Sequence, residues 1–366
     1  MIGPAVPVPV PQSVLDALTD VQITSASDGP SGFQLSFTLS TDSALHTLFL
    51  LTGGSPIPFV RVIVVVTVGG MPDVLMDGVM TNHEVRPGAG AGRATLTVTG
   101  EDLTRVMDYI ELDGVPYPGM PGAARVYAIL GKYAALGVLP LVVPPLISDV
   151  PNPVERIPRH KGTDLCYVRG LAADVGYVFY LEPGPAPGAS VAYWGPEIKV
   201  GLPQPALNAD MDAFTNVEAL GFGFASDSRV QPIVMVHNAI TKAPIPVPVP
   251  DIAPLNPPLG LIPPLPKKFE LLTGTAKLST AAAALAAVAK ASRTSEAVTG
   301  TGSLDVVRYG RVLKARRLVG VRGVGPAFDG LYYVKSVTHT IKRGEYKQSF
   351  TLTRNGLLST VPAVPA

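Results

Sequence analysis

Residues 329–357 read DGLYYVKSVTHTIKRGEYKQSFTLTRNGL, and residues 77–103 read DGVMTNHEVRPGAGAGRATLTVTGEDL. Each stretch opens with Asp-Gly, passes through a turn, and closes on a segment in which Thr alternates with apolar residues. Alternation with a period of two is typical of a strand that buries one face and exposes the other. The sequence therefore predicts the same β-hairpin twice, once in each half of the chain.

The closing strands of the two hairpins align without a gap, residues 94–103 with residues 348–357. In the second copy Phe350 and Leu352 alternate with polar neighbours, so we expect both to face a core. The two turns differ in length by two residues, which leaves every side chain on its original face of the sheet. We interpret the repeat as a structural duplication; chance similarity of two amphipathic hairpins is the alternative.

The composition is unusual for a protein that works alone. Only 16% of the 366 residues are charged, where about 25% is usual, while 47% are hydrophobic. No apolar run approaches the roughly 18 residues of a membrane span, and the first residues lack the basic start of a secretory signal. We therefore expect assembly in the cytoplasm, with much of the surface covered by other subunits. The net charge of +1 gives no general attraction for nucleic acid.

Pattern and composition divide the chain into several regions. They are a Pro/Val-rich leader (1–14), expected to be extended and peripheral, a first β region (15–110), an inserted α/β region (111–205), a second β region (206–358) and a tail (359–366). In the insert, the sequence predicts a helix from Asp164 to about Ala173, stopped near Gly176, followed by a strand from Tyr177 to Leu181.

Two segments of the second β region stand out. Residues 243–267 form a Pro-rich loop, with ten prolines from Pro244 to Pro266. Proline lacks the N–H that a sheet needs, so we expect polyproline or irregular backbone there and no place in a sheet interior. Residues 279–291 are rich in Ala and predict a helix.

Residues that could act in catalysis or bind a metal or phosphate are few, and they lie far apart in the sequence. The five histidines show no His-x-x-x-His spacing, none lies close in sequence to Cys166, and no phosphate-binding loop or nucleophile elbow occurs. Glu101 and Asp102 are adjacent, so as helical neighbours they would not face each other as a catalytic pair. We expect no catalytic residue, no cofactor and no metal site. Cys166 is expected to be a buried, reduced thiol.

One cluster of positively charged residues is typical of a binding surface. Within fifteen residues that contain no acid, the chain places six cations: Arg308, Arg311, Lys314, Arg316, Arg317 and Arg322. The cluster is a candidate subunit interface or channel lining that meets carboxylates of a neighbouring subunit. A solvated strand face is the alternative. Nucleic-acid contact is disfavoured because aromatic residues are sparse around the cluster.

The sequences of three segments resemble those of a known family. ATLTVTGEDLTRVMD (94–108), GTDLCYVRGLAADVGYVFYLEPG (162–184) and RYGRVLKARRLVGVRGVGPAFDGLYYVKSVTHTIKRGEYKQSFTLTRNGL (308–357) resemble the late control D proteins, the baseplate hubs of contractile phages. These are related to the N-terminal hub region of VgrG and to hubs of extracellular contractile injection systems. The resemblance covers residues 15–358, and its C-terminal block is the most specific.

The resemblance implies an architecture and a role. In that family two tube-like β-barrels per subunit build a trimeric ring of pseudo-sixfold symmetry, which joins a hexameric inner tube to a trimeric central spike. The expected partners are two further copies of the chain, the inner tube or tube-initiator protein, a separate spike protein and baseplate wedge proteins. No lysozyme-like segment is apparent, and the Pro-rich loop has no place in the family pattern.

Two other functions compete with a structural hub. A cell-wall hydrolase of the baseplate would need spaced carboxylates or a Cys/His set, which the sequence lacks. A receptor-binding or carbohydrate-binding β protein would need aromatic stacking surfaces. The chain has a single tryptophan, Trp194, and 7% aromatic residues, which disfavours that function.

Overall fold

The computed structural model describes residues 1–4, 6–27, 29–39, 45, 59–88, 93–145, 150–154, 156–227, 229–237, 244–248, 257–271, 296–361 and 364. Strands predominate among them, so the prediction of a mainly β protein is confirmed. The Ala-rich stretch 279–291, predicted to be helical, lies outside the described residues.

The first β region supplies six strands and one short helix. They are β1 (Ile2–Gly3), helix α1 (Gln12–Ala17), β2 (Leu18–Ala26), β3 (Gly32–Leu39), β4 (Arg61–Val68), β5 (Met71–Arg86) and β6 (Ala94–Asp102). A 3₁₀ turn over Leu103–Asp108 follows, capped by the Asp102 carboxylate, which accepts a hydrogen bond from the backbone N–H of Thr104. Strands β2 to β6 are called the first unit below.

The insert is a small layer of helices on a sheet. It contains α2 (Gly122–Gly131), β7 (Val138–Val142), α3 (Asp164–Val175), β8 (Val178–Pro183) and β9 (Ser190–Gly195), with strand order β7-β9-β8. Thr163 caps α3 by accepting from the N–H of Cys166, and Gly176 ends the helix at φ 72°, a left-handed conformation that favours glycine. The helix predicted from Asp164 to about Ala173 is confirmed, and it continues to Val175 before it stops at Gly176.

The second β region repeats the first. After β10 (Gln204–Asn208) come β11 (Ala219–Phe224), β16 (Val298–Asp305), β17 (Leu318–Arg322), β18 (Gly330–Lys342) and β19 (Glu345–Arg354), with helix α4 (Val306–Tyr309) between β16 and β17. Strands β11 and β16 to β19 are called the second unit. Between β11 and β16 lie β12 (Val230–His237), β13 (Pro244–Pro248), β14 (Gly260–Ile262) and β15 (Lys268–Leu271); β20 (Leu357–Ser359) follows β19.

One sheet runs through both units. Its order is β1-β4-β5-β6-β3-β2-β18-β19-β16-β11, with β17 paired to β18 and β10 paired to β17. In the first unit the spatial order is β4-β5-β6-β3-β2, and in the second it is β17-β18-β19-β16-β11. Matching strands also follow each other in the same order along the chain, so the topology is duplicated and not the hairpin alone.

The strand registers of the two hairpins agree as well. Three matched sets of facing residues are Glu84–Thr97 with Ser336–Thr351, Val85–Leu96 with Val337–Phe350, and Arg86–Thr95 with Thr338–Ser349. Equivalent residues differ in number by 252 in the opening strands, as in Glu84 and Ser336. They differ by 254 in the closing strands, as in Thr97 and Thr351. The second hairpin has two more residues between its matched pairs, because its ladder continues to Lys342–Glu345. The prediction of a repeated hairpin is confirmed.

The core follows from this alternation. Phe350 and Leu352 are buried, and with Leu96 and Val98 of the first copy they belong to one apolar cluster that extends through both units. Gly302 in β16 is needed there, because a Cβ atom would lie 2.7 Å from the Phe350 ring and 2.5 Å from the carbonyl oxygen of Ala219. A second cluster in the insert surrounds the fully buried Trp194.

Two expectations from sequence need correction. The Pro/Val leader is not peripheral: Ile2 is buried and pairs with Val62 of β4, so β1 lies at one end of the sheet. The Pro-rich loop is not wholly irregular, because it contributes β13, an edge strand beside β12, and β14, which pairs with β20. Neither is in a sheet interior, in keeping with the missing N–H groups of proline. The domain boundaries and closed barrels stay predictions.

We predict that Phe350→Ala lowers the free energy of unfolding by about 3–5 kcal/mol, because it leaves a cavity in the shared core. The neighbouring Ser349 is exposed on the other face, so Ser349→Ala is the matched control and should change stability by no more than about 0.5 kcal/mol. Denaturant unfolding followed by circular dichroism measures both. A loss below about 1 kcal/mol for Phe350→Ala would contradict the assignment of this face to the core.

Candidate subunit interface

The face of the sheet opposite the core is lined by hydroxyl groups. Thr95, Thr97 and Thr99 of β6 lie on it, and so do Ser349 and Thr351 of β19, all partly or fully exposed. Hydroxyls remain hydrated at little cost and carry no charge. The sequence-predicted polar face is present, with one exception: Thr353 is buried and donates to the Glu296 carboxylate at 3.0 Å.

The two units meet where β2 pairs with β18. Seven facing pairs form this internal junction, from Ala26–Ser336 to Asp20–Lys342. On the core side Ile23 and Val337 are fully buried. On the hydroxyl face the Oγ1 atoms of Thr24 and Thr338 are 3.0 Å apart. The junction therefore has a dry side and a polar side, like the strand pairs within each unit.

Two stretches at the ends of the strand path from β5 to β11 have a neighbour on one side only among the described strands. They are the second half of β5, residues 81–86, which pairs with β6, and β11, which pairs with β16. Residues 81–86 are all exposed, although Val85 faces Leu96 on the core side. Unpaired strand edges favour the addition of another strand.

The structure divides the six cations of the candidate interface into three groups. Lys314 pairs with Asp73 at 2.6 Å, and Arg317 pairs with Glu182 at 3.1 Å. Arg322 donates to the carbonyl oxygen of Val364. These three bind within the subunit, because the fold brings carboxylates and carbonyls from distant parts of the chain to a segment that has no acids in sequence.

Arg316 is a correction to the sequence prediction, since it lies inside the subunit. Its Nη2 donates to the carbonyl oxygen of Ala26 at 2.6 Å and to Ser31 Oγ at 3.3 Å, and its Nη1 lies 3.5 Å from the carbonyl oxygen of Leu181. The guanidinium lies 4.0 Å from the centre of the Tyr180 ring. Arg316 therefore ties the first unit and the insert to the second unit.

Arg308 and Arg311 remain exposed. Arg308 lies in α4 beside Val307, whose side chain is also exposed, and Arg311 follows the helix. An exposed apolar side chain between cations is compatible with a contact surface. The basic stretch as a whole stays a candidate interface, and these two residues carry it.

The groups that could act in catalysis are dispersed. In the part of the chain that the structure describes, no three His, Cys, Asp or Glu side chains form a cluster suited to a metal ion. Cys166 is exposed, which corrects the expectation of a buried thiol; it lies on the outer side of α3, while Leu165 and Val168 face the core. None of the described helices is long and apolar enough to cross a membrane.

His339 is buried beside Gln348, whose Nε2 lies 3.2 Å from Nδ1 of the imidazole, and beside the Tyr346 hydroxyl at 2.9 Å. Gln348 also exchanges two hydrogen bonds with the backbone of Leu313. Burial lowers the pKa of His339 to about 4, against a smaller opposite effect of the Asp73 carboxylate. At neutral pH the histidine is therefore an uncharged part of the core.

Comparison with known proteins identifies the fold. No family model and no curated protein sequence matches the chain. Solved structures do match, first a tail protein from Neisseria meningitidis MC58, with a TM-score of 0.60, 15% identity and coverage of 93% of each chain. The 43 kDa tail protein of prophage MuSo2 from Shewanella oneidensis matches with a TM-score of 0.57, 14% identity and coverage of 92% of this chain and 94% of that chain.

A third match comes from a secretion system. The E. coli c3393 protein, described as a component of the type VI secretion system with structural similarity to T4 bacteriophage tail proteins, has a TM-score of 0.54 and 11% identity over 95% of this chain and 76% of that chain. The chain therefore has the fold shared by phage tail proteins and this secretion component. The resemblance seen in the sequence is confirmed at the level of the fold.

We predict that Arg316→Glu prevents stable folding, whereas Arg317→Glu does not. The first change places a carboxylate against backbone carbonyl oxygens in the interior, at a cost of about 3–5 kcal/mol or more. The second removes one exposed ion pair worth about 0–1 kcal/mol. Soluble yield and the denaturant midpoint of each variant measure the difference. Equal stability of the two variants would contradict the buried position of Arg316.

We predict that His339 makes the protein less stable as the pH falls from about 6.5 to about 4. The unfolded chain takes up a proton in this window, whereas the native imidazole does not, so the contribution reaches about 3 kcal/mol at the acid end. Unfolding in urea at about pH 7.5 and about pH 4.5 tests this by comparing the wild type with His339→Gln. Between about pH 7.5 and about pH 4.5 the variant should lose less stability than the wild type. An identical loss in both proteins would contradict a neutral, buried His339.

Proposed function

We propose that the chain is a structural hub of a phage tail or contractile injection particle, and that it joins a sixfold inner tube to a threefold central spike. The observation that carries the proposal is the duplicated topology, with two five-strand units in one polypeptide. Three copies of such a chain present six equivalent units around one axis. Neither a simple hexamer nor a trimer of single units would match both symmetries.

The size of the shared sheet supports a ring. From β5 to β11, eight neighbouring strands follow one another in each chain, so three copies would supply 24. With strands about 4.8 Å apart, such a ring has a circumference of roughly 115 Å and a diameter of roughly 37 Å before strand tilt widens it. Its two faces would be the apolar core on the outside and the hydroxyl face toward a central channel.

The fold matches support the same role, because they come from tail proteins and from a component of a type VI secretion system. The proposed partners are two further copies of the chain, an inner tube or tube-initiator protein, a spike protein and baseplate wedge proteins. We propose a non-enzymatic role: the side chains that define the sheet and the junctions act through packing and pairing.

A gene deletion in the producing strain tests the proposal. Particles made without this chain should be absent or should lack a joined tube and spike in electron micrographs, and a plasmid copy should restore them. Mass spectrometry of wild-type particles should find this chain and a spike protein in equal, threefold numbers. Particles of normal yield and length in the deletion strain would contradict the proposed role.

A further inference from the structure

The proposed function leaves the Pro-rich loop unexplained. Between β14 and β15 this loop reads Pro263-Pro264-Leu265-Pro266-Lys267, and these residues are in neither helix nor strand. A proline ring fixes its own φ at about −65° and keeps the preceding residue out of the helical region. Because prolines occupy three of the four positions from 263 to 266, residues 262–266 are all confined to extended backbone. Extended backbone without ladder hydrogen bonds is that of a polyproline helix.

Both ends of this segment are fixed to the protein. At its start, β14 pairs with β20, and Ile262 faces Leu357. The side-chain oxygen of Asn355 accepts hydrogen bonds from the N–H groups of Leu259 and Gly260, at 2.8 and 2.9 Å. At its end, β15 pairs with β12. The segment is therefore ordered before a partner binds, which lowers the entropic cost of binding.

One side of the segment faces the body of the protein. In a polyproline helix, residues three apart lie on the same side. Pro264 is buried, and its carbonyl oxygen accepts a hydrogen bond from Nη1 of Arg229 at 3.4 Å. Three residues later, Lys267 pairs with the Asp227 carboxylate. The side that carries Pro264 and Lys267 is thus already occupied by contacts within the chain.

The other two sides face away from the protein and are apolar. Ile262 and Leu265 share one side, and they are 53% and 81% exposed. Pro263 and Pro266 share the other side; the first is exposed and the second is half-buried. Two prolines at this spacing are the feature that aromatic-lined grooves of protein domains bind. Together with the exposed aliphatic side chains, they indicate a protein-binding surface.

The charge at the end of the segment specifies the partner further. Lys268 follows the second proline by two residues and is exposed. Unlike Lys267, it forms no ion pair with any residue that the structure describes. Complementary charge across an interface fixes orientation and suppresses wrong partners. A groove that binds this segment is therefore expected to carry a carboxylate at the end where Lys268 lies.

We propose that residues 262–268 bind a partner protein through a groove that is lined by aromatic side chains and has a carboxylate at one end. Pro263 and Pro266 lie between the aromatic rings of the groove. Leu265 packs beside them, and Lys268 pairs with the carboxylate. The preformed polyproline backbone favours this mode of binding, because little conformational freedom is lost. The proposal does not depend on the hub role, since it uses neither the two units nor the junction between them.

Titration of the purified full chain, followed by fluorescence anisotropy, tests the proposal. The probe is an SH3 domain, whose aromatic groove binds Pro-x-x-Pro segments, chosen for its preference for Pro-x-x-Pro-x-Lys peptides. Binding should be saturable. Pro263→Ala combined with Pro266→Ala should weaken it at least about tenfold. Lys268→Glu should also weaken binding and should remove most of its salt dependence.

The matched control is Pro258→Ala, because Pro258 is an exposed proline of the same loop that lies outside the segment. This change should leave the affinity unchanged. Circular dichroism should show that all variants are folded, since none of the replaced side chains is buried. The proposal is overturned if the domain does not bind the chain at concentrations up to about 1 mM, or if the control weakens binding as much as the proline pair does.

Photo-crosslinking in the producing strain identifies the protein that covers the segment. When Leu265 is replaced by p-benzoylphenylalanine, the chain should become linked to a different protein, at a peptide that contains aromatic and acidic residues. The link should be lost when Pro263 and Pro266 are also replaced by Ala. A link to another copy of this chain alone, no link at all, or a link that survives the proline replacement would overturn the proposal. Because this readout does not require tail particles, its failure is separate from a failure of the proposed function.

Discussion

The antiparallel ladder between β2 and β18 is the interaction on which the rest of the structure depends. Each unit by itself would leave a strand edge with unsatisfied N–H and C=O groups beside apolar residues. Pairing Ala26–Ser336 through Asp20–Lys342 satisfies both edges and buries Ile23 and Val337. One continuous sheet with one continuous core results. The two units of one chain are therefore held together by the same kind of strand pairing that holds each unit together.

The insert is fixed to this sheet by an apolar cluster that includes Val79 of β5 and by buried polar contacts, and not by strand pairing. Arg61 and Asp77 form an ion pair at 2.6 Å inside the first unit, and Ser190 of the insert donates to the same carboxylate at 3.0 Å. Arg316 makes the corresponding connection from the second unit. Buried charges are costly to leave unpaired, so these contacts specify one orientation of the insert.

The sequence predicted the features that depend on local pattern. Alternation in residues 94–103 and 348–357 located both hairpins and the buried face of Phe350, and the pattern from Asp164 to Gly176 located a helix. Contacts between distant segments left no such pattern. The sequence could not show that Arg316 is buried, because its partners Ala26 and Leu181 are far away in sequence. Nor could it distinguish Val85 from other strand residues, because only the strand registers show that Val85 is equivalent to Val337. An alignment of the first hairpin on the second could have indicated Val85, since it matches a valine that the second unit buries.

An electron cryomicroscopy reconstruction of the purified oligomer at side-chain resolution tests the central claim most directly. The account predicts three chains around one axis, with the first and second units alternating so that six similar units surround the axis. A ring of six chains, or three chains of which only one unit each faces the axis, would contradict the claim that the duplicated units of one chain are built to repeat around a ring.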